Sequence, residues 1–120
     1  MEDYVISYDL AVKLKDLGIE FKKSMFVYEN KILKNKSKLD YEKNILPAFM
    51  TDEILQMLPN RLGNYYLTTV RTINNEYVVC YELNQHVKGN IFDTKPCNAL
   101  AKMLIWLIEN RYVKVSELNV

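Results

Sequence analysis

Glycine, proline, cysteine and histidine are all scarce in this chain of 120 residues, at three, three, two and one respectively. Each shortage excludes something. Gly18, Gly63 and Gly89 are scattered, and none fits a glycine-rich phosphate-binding fingerprint. Cys80 and Cys97 lie seventeen residues apart with one histidine in the whole chain, which does not make a zinc site or a disulfide framework. No metal and no cofactor is therefore expected. Charge of one sign is also lacking. The net charge of +1 gives no bulk attraction to nucleic acid and none to a basic partner. The apolar run at 99–108 is too short to span a bilayer. No secretory apolar segment follows Met1-Glu2-Asp3, so the expectation is a cytoplasmic protein with reduced thiols and no membrane contact.

Apolar periodicity is what the chain has most of, and it is strongest in PCNALAKMLIWLIENRY, residues 96–112. Leu100, Met103, Leu104, Leu107 and Ile108 recur at spacings of three and four, which places them on one face of a helix. Pro96 suits a first turn, and Asp93 or Thr94 can cap it. Arg111 falls in the last turn, where a cation favours the helix dipole. The opposite side carries Asn98, Lys102 and Glu109, but Ile105 and Trp106 interrupt or flank that stripe. A surface helix has a broader polar side than this. Two readings follow. The helix is buried between two layers, or part of it meets another chain, with Ile105, Trp106, Lys102 and Glu109 as the contact candidates.

The length fits one domain over residues 1–120, whose folding buries roughly two-thirds of the unfolded chain's surface. Residues 7–17 read as a helix, with Ser7 as N-cap, Leu10, Leu14 and Leu17 inward and Gly18 at a left-handed C-terminal position. SMFVY at 24–28 reads as a strand, Glu29-Asn30-Lys31 as a turn and Ile32-Leu33 as a short return strand. The lysine-rich stretch 34–43 reads as an exposed loop. After an extended segment at 45–48, Thr51 caps a short helix that Pro59 closes. YYLTTVRTI and EYVVCYEL form a hairpin about Asn74-Asn75. A two-residue turn pairs Arg71 with Val78 and Thr69 with Cys80. That register gathers Tyr66, Thr68, Val70, Thr72, Tyr77, Val79 and Tyr81 on one uncharged face, which is expected to point inward. Residues 84–93 read as a loop turning at Gly89-Asn90, and the tail from Val113 adds an edge strand or a last turn. The fold class is α+β: an antiparallel sheet of three to four strands with helices packed mainly on one face, in the order α-β-β-α-β-β-α.

Three segments, SYDLAVKLKDLGI, ILPAFMTDEILQMLP and KPCNALAKMLIWLIEN, resemble a loose group of small phage and prophage hypothetical proteins. The matching positions are Ser7, Leu10, Ala11, Leu14, Lys15, Gly18, Pro47, Thr51, Leu55, Leu58, Pro59, Ala99, Leu100 and Trp106. They cover about half the chain. They are packing and capping residues, so the resemblance implies an origin in a mobile element and not a mechanism.

Candidate chemistry is thin. Cys97 lies in a helix first turn, where the dipole can lower a thiol pKa, and His86 lies eleven residues earlier as a conceivable base. Nothing supplies an orienting group or an oxyanion site, so the chain reads as a non-enzyme. Asp40 with Glu42 and Asp52 with Glu53 read as loop and helix-start charges. From Lys22 to Lys43 there are seven lysines against three acids. That asymmetry makes Lys31, Lys34, Lys36 and Lys38 candidates for phosphate contact. The chain is also rich in asparagine, isoleucine and tyrosine, which AT-rich codons enrich together with lysine. The leading expectation is therefore an accessory protein acting through a protein partner or self-association, possible as a homodimer, with nucleic-acid binding second.

Overall fold

The computed structural model describes residues 4–20, 24–35 and 45–118. Four helices and seven strands follow one another along it: α1 (Tyr8–Asp16), β1 (Phe26–Glu29), β2 (Ile32–Asn35), β3 (Ile45–Ala48), α2 (Thr51–Met57), β4 (Arg61–Leu62), β5 (Tyr65–Arg71), β6 (Tyr77–Leu83), β7 (His86–Asp93), α3 (Pro96–Glu109) and α4 (Val115–Leu118). The class is α+β and every strand pairing is antiparallel. The strands divide into two sheets, ordered β2-β1-β3 and β4-β5-β6-β7.

Helix α3 lies between these parts. It packs on β6 and β7 on one side and on α1 and α2 on others, while α1 also packs on β3. Cys97, Ala99, Leu100, Ala101, Met103, Leu104, Ile105 and Leu107 are all buried as a result. Neighbours on several sides are the reason its sequence has so narrow a polar stripe. The N-termini of α1 and α3 are tied directly, because the Ser7 amide donates to Asn98 Oδ1 at 2.9 Å. Ser7 does occupy the N-cap of α1, but its hydroxyl makes no capping bond.

Two helices end in the same way with different residues. After α1, Gly18 takes φ +98°, its amide bonds the Lys15 carbonyl, and the Ile19 amide bonds the Leu14 carbonyl. After α3, Arg111 takes φ +63°, its amide bonds the Ile108 carbonyl, and the Tyr112 amide bonds the Leu107 carbonyl. Both are Schellman closures. Arg111 thus lies beyond the last turn, in a conformation that glycine adopts more easily. Tyr112 then stacks on Trp106 with ring centroids 5.2 Å apart.

Capping at the other helix starts differs by one residue from the sequence expectation. Met50, not Thr51, is the N-cap of α2, and Glu53 reaches back to accept the Met50 amide at 2.8 Å and the Met25 amide at 2.9 Å. That one carboxylate joins the entry to β1 with the start of α2. At α3 the N-cap is Lys95, and Asp93 accepts its amide at 2.9 Å. Two buried tyrosines satisfy backbone carbonyls between elements: Tyr28 donates to Ile6 O and Tyr81 to Pro59 O, each at 2.7 Å.

The second sheet departs from expectation in two places, each traceable to a turn. Between β5 and β6, the Thr72 amide bonds the Glu76 carbonyl, leaving Ile73-Asn74-Asn75 as a three-residue loop with Asn75 at φ +60°. A three-residue loop ending in a left-handed residue is a common hairpin closure. It shifts the register by one, so Arg71 pairs with Tyr77, Thr69 with Val79 and Thr68 with Cys80. Because side chains alternate, the shift reverses the faces of β5 relative to β6. Tyr77, Val79 and Tyr81 point inward as expected, but Tyr65 and Leu67 join them, while Tyr66, Thr68 and Val70 share the outer face.

Residues 84–93 are not a loop. Asn84-Gln85, at φ +48° and +71°, form the two-residue turn, and His86–Asp93 is the longest strand. Gly89 and Asn90 form no turn: Gly89 lies at a register shift within the strand, at φ +62°. A Cβ there would lie 2.9 Å from the Trp106 ring. The 34–43 loop falls almost wholly outside the described residues. Its first two residues, Lys34 and Asn35, belong to β2. The tail closes with the single turn of α4.

Substituting Gly89→Ala is expected to cost about 2–4 kcal/mol, from overpacking against Trp106 and from the left-handed backbone. Denaturant unfolding of the two proteins checks it, and a cost below about 0.5 kcal/mol would contradict this packing.

Candidate interaction surface

The residues proposed on α3 are used inside the fold. Ile105 is only 5% exposed. Trp106 is half-buried, held between Gly89 and Tyr112. Neither offers a free contact surface, because β7 and the 110–112 segment already cover that side. Lys102 and Glu109 are exposed, but each faces a neighbour. Lys102 Nζ lies 2.8 Å from Asp93 Oδ2, and Glu109 lies 3.8 Å from Lys13 Nζ.

Asp93 sits where β7 passes into α3. Its partial burial would raise its carboxyl pKa, but the hydrogen bonds from Lys102 and from the Lys95 amide, with the charges of Lys102 and Lys95, outweigh that and hold it below the ordinary value. It is the joint between strand and helix.

The nucleic-acid candidates do not gather into a patch among the described residues. Lys31 lies over the Tyr8 ring at 5.7 Å, and Lys34 is paired with Glu29. Lys36 and Lys38 lie outside the described residues. The Cys97–His86 pair is not assembled. Cys97 is 1% exposed, and burial raises its thiol despite Lys95, the helix-start amides and the Thr51 hydroxyl, which all act the other way. His86 opens β7 at the end remote from α3, roughly 20 Å along the strand from Asp93. Asp52 is a first-turn charge and Glu53 is engaged with two amides, as above. Among the described residues no group of three or more histidine, cysteine or acidic side chains could hold a metal ion. Among them too, no helix is long and apolar enough to cross a membrane.

The outer face of the second sheet is the surface that sequence reasoning placed wrongly. The registers set three rows across it. One row is Val70, Val78 and Phe92. The next holds Thr68 and Cys80. The third is Arg61, Tyr66, Glu82 and Val87. Val70 is 52% exposed, Phe92 57% and Tyr66 55%, and Ile73 stands fully exposed in the adjoining loop. Arg61 lies on the Tyr66 ring at 5.1 Å. Cys80 is buried in the middle, and that burial, with the Glu82 charge beside it, pushes its thiol up. Strand spacing and rise give this face a footprint of roughly 400 Å². The other exposed apolar residues, such as Tyr4, Met25, Ile32 and Leu55, lie on separate elements. Scattered residues of that kind are ordinary, whereas rows on one sheet face are not.

No family model matches this chain, and no curated protein or solved structure matches it.

The Asp93 joint has a pH signature. A carboxyl pKa lowered by folding contributes stability above its unfolded value of about 4, and that contribution is lost as pH falls through the folded value. Asp93→Asn is expected to lower stability by about 1 kcal/mol or less at pH 7, since Lys102 is half-exposed. The gap between the two proteins should close as pH falls from about 5 towards 2. Equal gaps at pH 7 and pH 2 would contradict a charge-based joint.

Proposed function

We propose that this chain is a non-enzymatic accessory protein that acts by protein–protein contact, with a partner or with itself, and that the contact surface is the outer face of the β4–β7 sheet. The observation that carries this reading is the row of Val70, Val78 and Phe92, exposed at Val70 and Phe92 and partly covered at Val78, continued by the exposed Tyr66 and Val87. Leaving such a row in water forgoes about 25 cal/mol for each Å² that a partner would cover. The resemblance to small phage and prophage proteins supports an accessory role of mobile-element type, carried out in the cytoplasm. Nucleic-acid binding ranks behind it. Tyr66 and Phe92 could stack on bases, but the same face balances Arg61 with Glu82 and so has no excess charge for phosphates.

A photoreactive phenylalanine derivative at position 70, in the full chain expressed in its own host, tests the reading. The expected product is a discrete protein adduct at position 70 and none at Ser116, an exposed residue on α4. No protein adduct at position 70, or adducts to nucleic acid instead, would overturn it.

A further inference from the structure

The outer sheet face and the sheet's two edges, β7 and β4, are the surfaces on which a partner could add to this sheet, and they are not equally open. Among the described residues β7 is an edge strand, paired only with β6. A long edge invites pairing with another strand. Here the edge is interrupted by the register shift between Val79 and Tyr81 and by the left-handed Gly89, and Lys88 stands beside that shift. A bulge and a lysine both discourage edge-to-edge extension. The opposite edge, β4, is two residues long. The face, by contrast, has no such device.

The charges on that face are self-complementary. Its rows hold one cation, Arg61, and one anion, Glu82, which is paired with no cation among the described residues. Consider a two-fold axis running along the seam between β5 and β6. It exchanges the β5 and β6 positions of every row. Val70 of one copy then lies over Val78 of the other, and Tyr66 lies over Glu82. The Arg61 guanidinium rests on the Tyr66 ring, so it too is brought to Glu82 of the second copy. Both ion pairs form, and no two like charges meet.

Resting on the reading of this face as a docking surface, we infer that its occupant is a second copy of this chain, stacked face to face about the β5–β6 seam. A footprint of roughly 400 Å² on each copy, roughly 800 Å² in total, lies below the range of stable specific interfaces and within that of weak, transient ones, so the dimer is weak and concentration-dependent. Such a two-fold arrangement is self-limiting, because it uses up the same patch on both copies.

Sedimentation equilibrium on the full chain, with circular dichroism to confirm folding, tests this through charge exchange. The wild type is expected to dimerise with a dissociation constant of roughly 10–500 μM. Arg61→Glu and Glu82→Arg are each expected to weaken dimerisation about tenfold or more, because each places two like-charge pairs in the interface. Mixing those two variants one to one should restore dimerisation to the wild-type level, since both pairs become opposite in sign again. Val70→Glu should abolish it while the chain stays folded. A wild type that is monomeric to about 1 mM would overturn the second copy as occupant. So would a dimer indifferent to all three substitutions, or two variants that fail to rescue one another. A monomer that still gives a position-70 adduct to a different protein would overturn this inference alone, whereas the absence of any adduct would remove the docking surface itself.

Discussion

Burial of α3 on several sides is the constraint on which the rest of the structure depends. Its apolar side chains meet β6 and β7 in one direction and α1 and α2 in others, so it holds the second sheet directly and the first sheet through α1. The order of construction follows. Trp106 needs room against β7, and Gly89 supplies it by having no side chain. Asp93 needs to turn the strand into the helix, and it does so with the Lys95 amide and the Lys102 ammonium. Asn98 then anchors the start of α1, and α1 carries the first sheet through β3. Two of these joints are polar contacts at the rim of an otherwise apolar core. Their contribution is to register more than to bulk stability, since a single such bond is worth only about 1 kcal/mol net.

Much of this was legible where a residue type has one physical use. The periodic leucines of α1 and α3, Pro96 at a helix start and Gly18 at a helix end all mark their elements correctly. The narrow polar side of α3 also pointed to its two alternatives, and burial between layers is the one found. What could not be read was set by turns. Asn74-Asn75 suits a two-residue turn on propensity, and nothing local says that Ile73 joins it to make three. One added residue moved Tyr66 and Val70 from the core to the surface. Asn84-Gln85 lacks the glycine that usually betrays a tight hairpin, whereas Gly89-Asn90 has it and forms no turn. There the glycine answers to Trp106, seventeen residues away in the chain, a tertiary requirement that overrides local propensity.

The same displacement accounts for the candidate site. On α3 the apolar residues exceed what one helix face can bury, and Ile105 and Trp106 are that excess in the sequence. The excess was real, but it was absorbed inside the fold. The uncovered apolar residues lie instead on strands whose alternation looked ordinary. Period-two patterning identifies two faces and is silent about which is outward when neither face of a strand carries many charges. In β5 between Tyr66 and Val70 neither face does.

Trp106 packs against the core, whereas Val70 stands on a free surface. The most direct measurement is the unfolding free energy, by denaturant titration at low micromolar concentration, of Trp106→Glu and Val70→Glu beside the wild type. The account predicts a loss of about 2 kcal/mol or more for Trp106→Glu, which removes the ring's packing against Gly89 and Tyr112 and half-buries a charge. It predicts a change within about 1 kcal/mol for Val70→Glu, as for an exposed strand position. The reverse order, with Val70→Glu severe and Trp106→Glu mild, would contradict it and return the contact surface to the last helix.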